Sequence, residues 1–111
     1  MKSSLNNPVE IPSRTKGTGN ESGNEVTIDA DDCAITVNVA AVPMIMTLIN
    51  NKISPESIII LSVNNLGGEK LILNLRDSPQ AGSVAIGIYG DNDTGGAAFG
   101  GGTYLIHVSI F

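Results

Sequence analysis

The chain consists largely of short apolar runs separated by clusters of turn-forming residues, and this alternation constrains its fold more than any other feature. TLINNKISPESIIILSVNN at 47–65 shows the pattern most clearly, and AGSVAIGIYG at 81–90 repeats it. Many of the runs alternate side chains with the two-residue period of a β-strand, and no window of ten or more residues has a clean helical period. The sequence therefore predicts an all-β fold, an antiparallel β-sandwich of about seven to eight strands.

Seven runs after residue 24 are predicted to be strands, and each is bounded by Gly, Pro, Asn, Asp or Ser. The Asn-Asn-Leu-Gly-Gly segment at 64–68 is typical of a β-hairpin, so the runs on either side of it are predicted to pair. The predicted strands are 25–29, 33–39, 44–50, 57–64, 70–77, 83–90 and 103–111.

Residues 1–24 differ in composition from the rest, and we predict an extended or flexible N-terminal arm before a β-sandwich domain at 25–111. Gly, Ser, Asn, Pro, Thr and Lys dominate this stretch, and Leu5, Val9 and Ile11 are its sizeable apolar residues. Such a composition does not bury enough surface to offset chain entropy. A disordered tail and an arm that docks on another protein both fit it.

The charge of the chain is uneven. The net charge is −5; residues 1–24 carry three basic and two acidic side chains, and residues 25–111 carry three basic and nine acidic ones. An acidic body is poorly suited to nucleic-acid phosphates or to anionic membranes, so neither is an expected partner. No segment reads as a secretory signal or has the roughly 20 apolar residues of a membrane span, which predicts a cytosol-like compartment.

The reactive residues do not form a recognisable catalytic or metal-binding set. Cys33 is the single cysteine and His107 the single histidine, and both lie in apolar strands. The acidic clusters at 29–32 and 91–93 offer oxygen ligands but do not match a calcium loop, and the glycine-rich loop at 95–102 lacks the Lys-Ser/Thr of a phosphate-binding loop. We expect no enzyme, no cofactor and no metal.

Two of the predicted strands, 57–64 and 103–111, carry apolar side chains on both faces. One sandwich normally leaves the outer face of each sheet polar, so a second surface should cover the extra apolar residues. A homo-oligomer is the simplest candidate. The expected interface residues are Ile59, Leu61, Leu105, His107 and Phe111.

The order of the motifs resembles a family of small β-sandwich structural proteins of tailed bacteriophages. The resemblance rests on TLINNKISPESIIILSV at 47–63, AGSVAIGIYG at 81–90 and AAFGGGTYLIHVSI at 97–110, and it covers roughly residues 33–111. Members of this group look like capsid decoration (cement) proteins or modules of fibres and spikes. The resemblance implies a jelly-roll-like sandwich that is commonly a homotrimer.

Within that group, the lack of fibre-shaft repeats favours a decoration protein, and the acidic DADDC stretch at 29–33 is a departure from the pattern. The expected partner is the major capsid protein, on the outer capsid surface of a virion made in the host bacterial cytoplasm. A receptor- or glycan-binding tip of a tail or head fibre is the alternative, with 95–102 and 91–93 as its recognition surface, and a small hydrolase is the least favoured class. The arm residues expected to bind the capsid are Leu5, Val9, Ile11, Arg14 and Lys16.

Overall fold

The computed structural model describes residues 13–64, 70–90 and 101–111. These residues contain eight strands and no helix, which confirms the predicted all-β fold. The strands are β1 (Lys16–Asn20), β2 (Glu25–Thr27), β3 (Asp32–Val39), β4 (Met44–Ile49), β5 (Ile59–Asn64), β6 (Leu71–Leu75), β7 (Ser83–Gly90) and β8 (Gly102–Ile110).

The strands form two four-stranded sheets that pack together as a β-sandwich. The first sheet has the order β1-β3-β8-β5 and the second has the order β2-β4-β7-β6. Four of the six strand pairings are antiparallel, but β1 with β3 and β2 with β4 are parallel. The sandwich is therefore mixed rather than wholly antiparallel as predicted, and its jelly-roll-like character stays a prediction.

The core lies between the two sheets because the strands alternate side chains in and out. In β8, Tyr104, Ile106, Val108 and Ile110 are buried, and their neighbours point outward. The inward positions of β3, β4 and β7 are equally aliphatic, and full burial of one such side chain contributes about 1.5–3 kcal/mol. The two-residue period seen in the sequence is thus the period of the core.

Strand β1 lies inside the stretch that the sequence assigns to the arm. Its inward positions are Gly17 and Gly19, and a Cβ atom on Gly17 would lie 2.6 Å from Cγ2 of Ile28. Glycine is needed here because the strand approaches this isoleucine closely. The sandwich therefore begins before the predicted boundary at residue 24, and the strand was missed because KGTGN at 16–20 has no apolar residue.

The predicted hairpin between β5 and β6 is wrong. Strand β5 pairs with β8 in the first sheet, whereas β6 pairs with β7 in the second sheet. The crossing adds one edge strand to each sheet, and the inward side chains of both strands pack against the shared core. The connection between these two strands includes residues 65–69, which lie outside the described residues.

Strands β5 and β6 run in opposite directions. A two-residue turn reverses the chain between β1 and β2: Gly23 and Asn24 have φ angles of 62° and 64°, and Ser22 N–H donates to the carbonyl oxygen of Glu25 at 2.9 Å. Following the strand pairings across each sheet shows that β5 runs in the same direction as β1, and β6 in the same direction as β2. The two edge strands on the other side of the sandwich are therefore opposed as well.

Candidate interaction surfaces

One long side of the sandwich is formed by the edge strands β5 and β6, and we call it the β5–β6 side. Neither strand contains a charged residue or a proline. Soluble proteins usually protect edge strands with charges, prolines or bulges, so this side is an unprotected aliphatic edge in the part of the chain that the structure describes. Its inward side chains pack against the core but stay only half-buried: Ile59, Leu61, Val63, Leu73 and Leu75.

The opposite side, formed by β1 and β2, is closed. Val26 and Ile28 are each only 6% exposed, and they fill the space that the glycines of β1 leave free. Lys16 and Glu25 place charges on these edge strands. Among the described residues, the β1–β2 side is therefore charged and closed, whereas β5 and β6 form an uncharged and open side.

A cluster of exposed apolar side chains, the outer patch, lies beside β5 on the outer face of the first sheet. It consists of Ile58, Ile60 and Phe111, which are 67%, 57% and 59% exposed. Ile58 and Phe111 are held side by side, because each donates its backbone N–H to the other's carbonyl oxygen at 3.0 and 2.9 Å. Single exposed apolar residues are ordinary, but a contiguous group adjoining an open edge is typical of an interaction surface.

The outer face of the second sheet is apolar near β6. Ile72 is 47% exposed and lies opposite Tyr89 of β7. The ring of Tyr89 lies across Gly87, where an added Cβ would be 2.6 Å from the tyrosine oxygen. Apolar surface therefore continues around the β5–β6 side onto both outer faces.

The five residues expected at the oligomer interface do not share one face. Leu105, His107 and Phe111 point outward from β8 and its end. Ile59 and Leu61 point into the sandwich, where they pack against the core. Only their backbone and the exposed edges of their side chains are accessible.

Two outward residues were not predicted at the interface: Ile58, which directly precedes β5, and Ile60 of β5. The run SIIILSVN is apolar on both faces, so alternation alone did not tell which isoleucines face the core. The ladder with β8 decides this, because Leu61 pairs with the buried Val108 and Ile59 with the buried Ile110.

Arg14 fastens the N-terminal part of the described chain to the start of β3 and the end of β8. Its Nε and Nη2 donate to Oδ2 and Oδ1 of Asp32, both at 2.9 Å, and Nη2 also donates to the carbonyl oxygens of Ile110 at 3.0 Å and Asp31 at 3.2 Å. The guanidinium carbon lies 4.1 Å from the ring centroid of Phe111. Bidentate pairing and ring stacking suit arginine and not lysine, so this contact is specific.

The carboxylates of the 29–32 cluster are engaged within the protein. The Arg14 hydrogen bonds lower the pKa of Asp32, and the backbone and hydroxyl hydrogen bonds of Thr15 lower the pKa of Asp31. Asp29 accepts the backbone N–H of Asn51 at 2.8 Å. These contacts explain the cluster as turn and strand fastening, and no group of three or more metal-ligating side chains lies together within the described ranges.

A shallow groove of about 340 Å³ lies on the outer face of the first sheet beside Lys16. Its lining includes His107, Asp32 and Ser109 around the small side chain of Ala34. The Asp32 carboxylate is already held by Arg14 and by the Ser109 hydroxyl, so it is not free to activate that hydroxyl as a nucleophile. The surface of the groove is more apolar than polar, and its described side chains do not form an activated nucleophile.

Cys33 and Asn50 are buried together at one end of the sandwich. Cys33 is 2% exposed, and burial raises the pKa of its thiol, which disfavours reactivity. Asn50 is fully buried and contacts the Cys33 sulfur at 3.3 Å through its amide nitrogen. The sequence pattern predicts Asn50 only as the end of a strand. Its position directly after a run of alternating aliphatic residues was the only indication of its burial.

Several predicted site residues lie outside the described residues: Leu5, Val9 and Ile11, the acidic turn at 91–93, and most of the glycine-rich loop at 95–102. Lys16 and Arg14 are described, and both belong to the sandwich.

No helix in the described ranges is long and apolar enough to cross a membrane. Comparisons with protein-family models, with curated proteins and with solved structures found no match to this chain.

Proposed function

We propose that the protein is a virion structural protein, a capsid decoration protein that associates with itself as a homotrimer and binds the major capsid protein on the outer surface of a phage head. The observation that carries the proposal is the open, uncharged β5–β6 side with its adjoining outer patch. A sandwich of this size gains much from burying such surface between copies. The resemblance of the sequence motifs to phage structural proteins is the reason for proposing a phage head as the binding partner.

Stabilisation of the head would come from several weak contacts made at once. Each copy in a trimer presents one capsid-binding segment, and linking three segments raises retention without requiring a strong single contact. An assembly that spans neighbouring capsid subunits therefore resists their separation.

The N-terminal residues are the proposed capsid anchors. Arg14 fixes the point where residues 1–12 join the sandwich, because it is tied to Asp32 and to the end of β8. Leu5, Val9 and Ile11 supply the apolar side chains of that segment. We expect Arg14 to act as a fastening for the anchor rather than as a capsid contact.

Deleting residues 2–12 tests the anchor while leaving Arg14 and β1 in place. The measurement is binding of purified protein to expanded, undecorated heads by co-sedimentation, with the triple variant Leu5→Ser, Val9→Ser, Ile11→Ser beside the deletion. Both should lose most head binding and keep the circular dichroism and the oligomer mass of the unchanged protein. Undiminished binding would remove the anchor from the proposal, and no binding by the unchanged protein would refute decoration.

The fibre-tip alternative is separated from decoration by copy number. Hundreds of copies per particle, located by cryo-electron microscopy on the head, are expected of a decoration protein. A few dozen copies or fewer at the tail would favour the recognition module instead.

A further inference from the structure

The geometry points to a defined mode of self-association: strand β5 of one copy pairs antiparallel with strand β6 of the next copy, and repetition of this contact closes a ring. The inference rests on the homotrimer of the proposed function and specifies how it is built. It makes no use of the capsid, so its test is independent of head binding.

The backbone of β5 presents hydrogen-bonding groups to the open edge. Ile58 exchanges both backbone hydrogen bonds with Phe111, and in an antiparallel ladder such residues alternate with residues whose N–H and C=O point away from the partner. The N–H and C=O of Ile59, Leu61 and Val63 therefore point away from β8, and no described strand lies there.

Strand β6 presents the same arrangement. Arg76 donates its backbone N–H to the carbonyl oxygen of Ala85, so the alternation directs the N–H and C=O of Leu73 and Leu75 away from β7. Such open edges are templates for pairing, and the two are similar in length, with six residues in β5 and five in β6. A second copy supplies the matching strand, because neither β5 nor β6 contains a charged residue that would oppose pairing.

Because β5 and β6 run in opposite directions, only antiparallel pairing of β5 with the next copy's β6 is compatible with a closed ring. Around a symmetry axis parallel to the strands, every β5 runs one way and every β6 runs the other way. Strand β5 of one copy therefore meets β6 of its neighbour antiparallel at every interface, and each copy uses both of its open edges. A heterologous contact of this kind forms a closed ring when repeated rotation from copy to copy returns to the first copy. In the proposed trimer, three copies complete the ring.

Side chains also favour this arrangement. Joining the two sheets edge to edge places their outer faces on one side of the combined sheet, where Ile60 and the neighbouring copy's Ile72 lie on the same face. The inward aliphatic side chains of the β5–β6 side then pack against those of the neighbouring copies around the symmetry axis. The ring would seal the one side of the sandwich that a single copy leaves open.

The first test places a charge on each edge without touching the core. Ser62 and Asn74 are exposed, outward-facing residues of β5 and β6, so Ser62→Lys with Asn74→Lys sets like charges against each other across the contact. The unchanged protein should have three times the 11.5 kDa chain mass by light scattering, and the double variant should have the single-chain mass with an unchanged circular dichroism spectrum. Thr27→Lys, an exposed position on the opposite edge strand β2, is the matched control and should stay trimeric.

The second test reads the backbone pairing directly in the unchanged protein. In hydrogen exchange followed by NMR, the amide protons of Leu61, Val63 and Leu73 should exchange at least about 100-fold more slowly in the trimer than in the double variant. Protected amides in a single-chain species would show that the same chain covers its own edge, and this would overturn the inference. A monomeric unchanged protein, an oligomer with fast exchange at these amides, or a double variant that stays trimeric would overturn it as well. A trimer that passes both tests but does not bind heads would refute decoration and leave the ring intact.

Discussion

Asn50 offers the sharpest test of how one end of the sandwich is held together. Its side chain is 0% exposed, and its amide nitrogen donates to the carbonyl oxygen of Ala30 at 2.7 Å. Its amide oxygen accepts the backbone N–H of Lys52 at 2.8 Å. One side chain thus ties the connection between β2 and β3 to the connection between β4 and β5.

The variant Asn50→Ala should be markedly less stable. It removes the strong donor at the Ala30 carbonyl oxygen, which keeps only the weak, long contact from the Cys33 thiol at 3.6 Å, and it leaves a small cavity. The Lys52 N–H is only part-buried and is able to turn to water. An unsatisfied buried backbone group costs about 1–3 kcal/mol, and the lost volume adds about 1 kcal/mol. We expect the free energy of unfolding to fall by about 2–4 kcal/mol and the Tm to fall by roughly 10–15 °C.

The assay is urea unfolding followed by circular dichroism, with Asn51→Ala as the control. Asn51 is exposed, and its described contact is its backbone N–H to Asp29, which alanine retains. The control should stay within about 0.5 kcal/mol of the unchanged protein. If Asn50→Ala costs no more than the control, then the fastening role of Asn50 is refuted.

The variant Asn50→Asp adds a pH dependence to the same test. Its oxygen still accepts from Lys52, but only a protonated carboxyl group is able to donate to the Ala30 carbonyl oxygen. Burial therefore raises the pKa of the introduced aspartate in the folded state above its ordinary value of about 3.9. The loss of stability relative to the unchanged protein should grow as the pH rises from about 4 to 7, and a loss that is constant with pH would contradict the buried contact.

Three further predictions concern other contacts. Arg14 lowers the pKa of Asp32, so the contribution of this pair to stability should be complete above pH 4–5 or so and should be lost as the pH falls through the lowered pKa; Arg14→Gln should shrink that acid-dependent loss in urea titrations between pH 2.5 and 7. The Cys33 thiol should react with a disulfide reagent only as the protein unfolds, so that its rate rises with urea; fast labelling in buffer would contradict its burial. Gly87→Val should displace the Tyr89 ring and change the tyrosine fluorescence and near-ultraviolet circular dichroism, and unchanged spectra would contradict the contact.

The core could be predicted from the sequence because it depends on local alternation. In 103–111 the two-residue period places Tyr104, Ile106, Val108 and Ile110 on one face, and all four are buried. A two-residue period with one apolar and one mixed face leaves a single choice. The same argument predicts the all-β fold without any contact between distant residues.

Strand pairing and strand orientation could not be predicted in the same way. The turn residues after Asn64 are compatible with a hairpin and with a crossing between sheets, and only the packing of β5 on β8 selects the crossing. In the run 57–64 both faces are apolar, so the register of β5 with Val108 and Ile110 was needed to show that Ile58 and Ile60 point outward. Strand β1 was missed for the converse reason, since its place depends on Ile28 and not on any apolar residue of its own.

The same register that corrects the interface residues also strengthens the case for assembly. If Ile59 and Leu61 faced outward, the apolar surface would be a flat patch that many partners could cover. Because they face inward at the edge, the accessible parts of these two residues are backbone groups and the rims of their side chains, which favour pairing with an added strand. Because the described residues form one closed, charged side and one open, uncharged side, we expect another copy to lie against the open side.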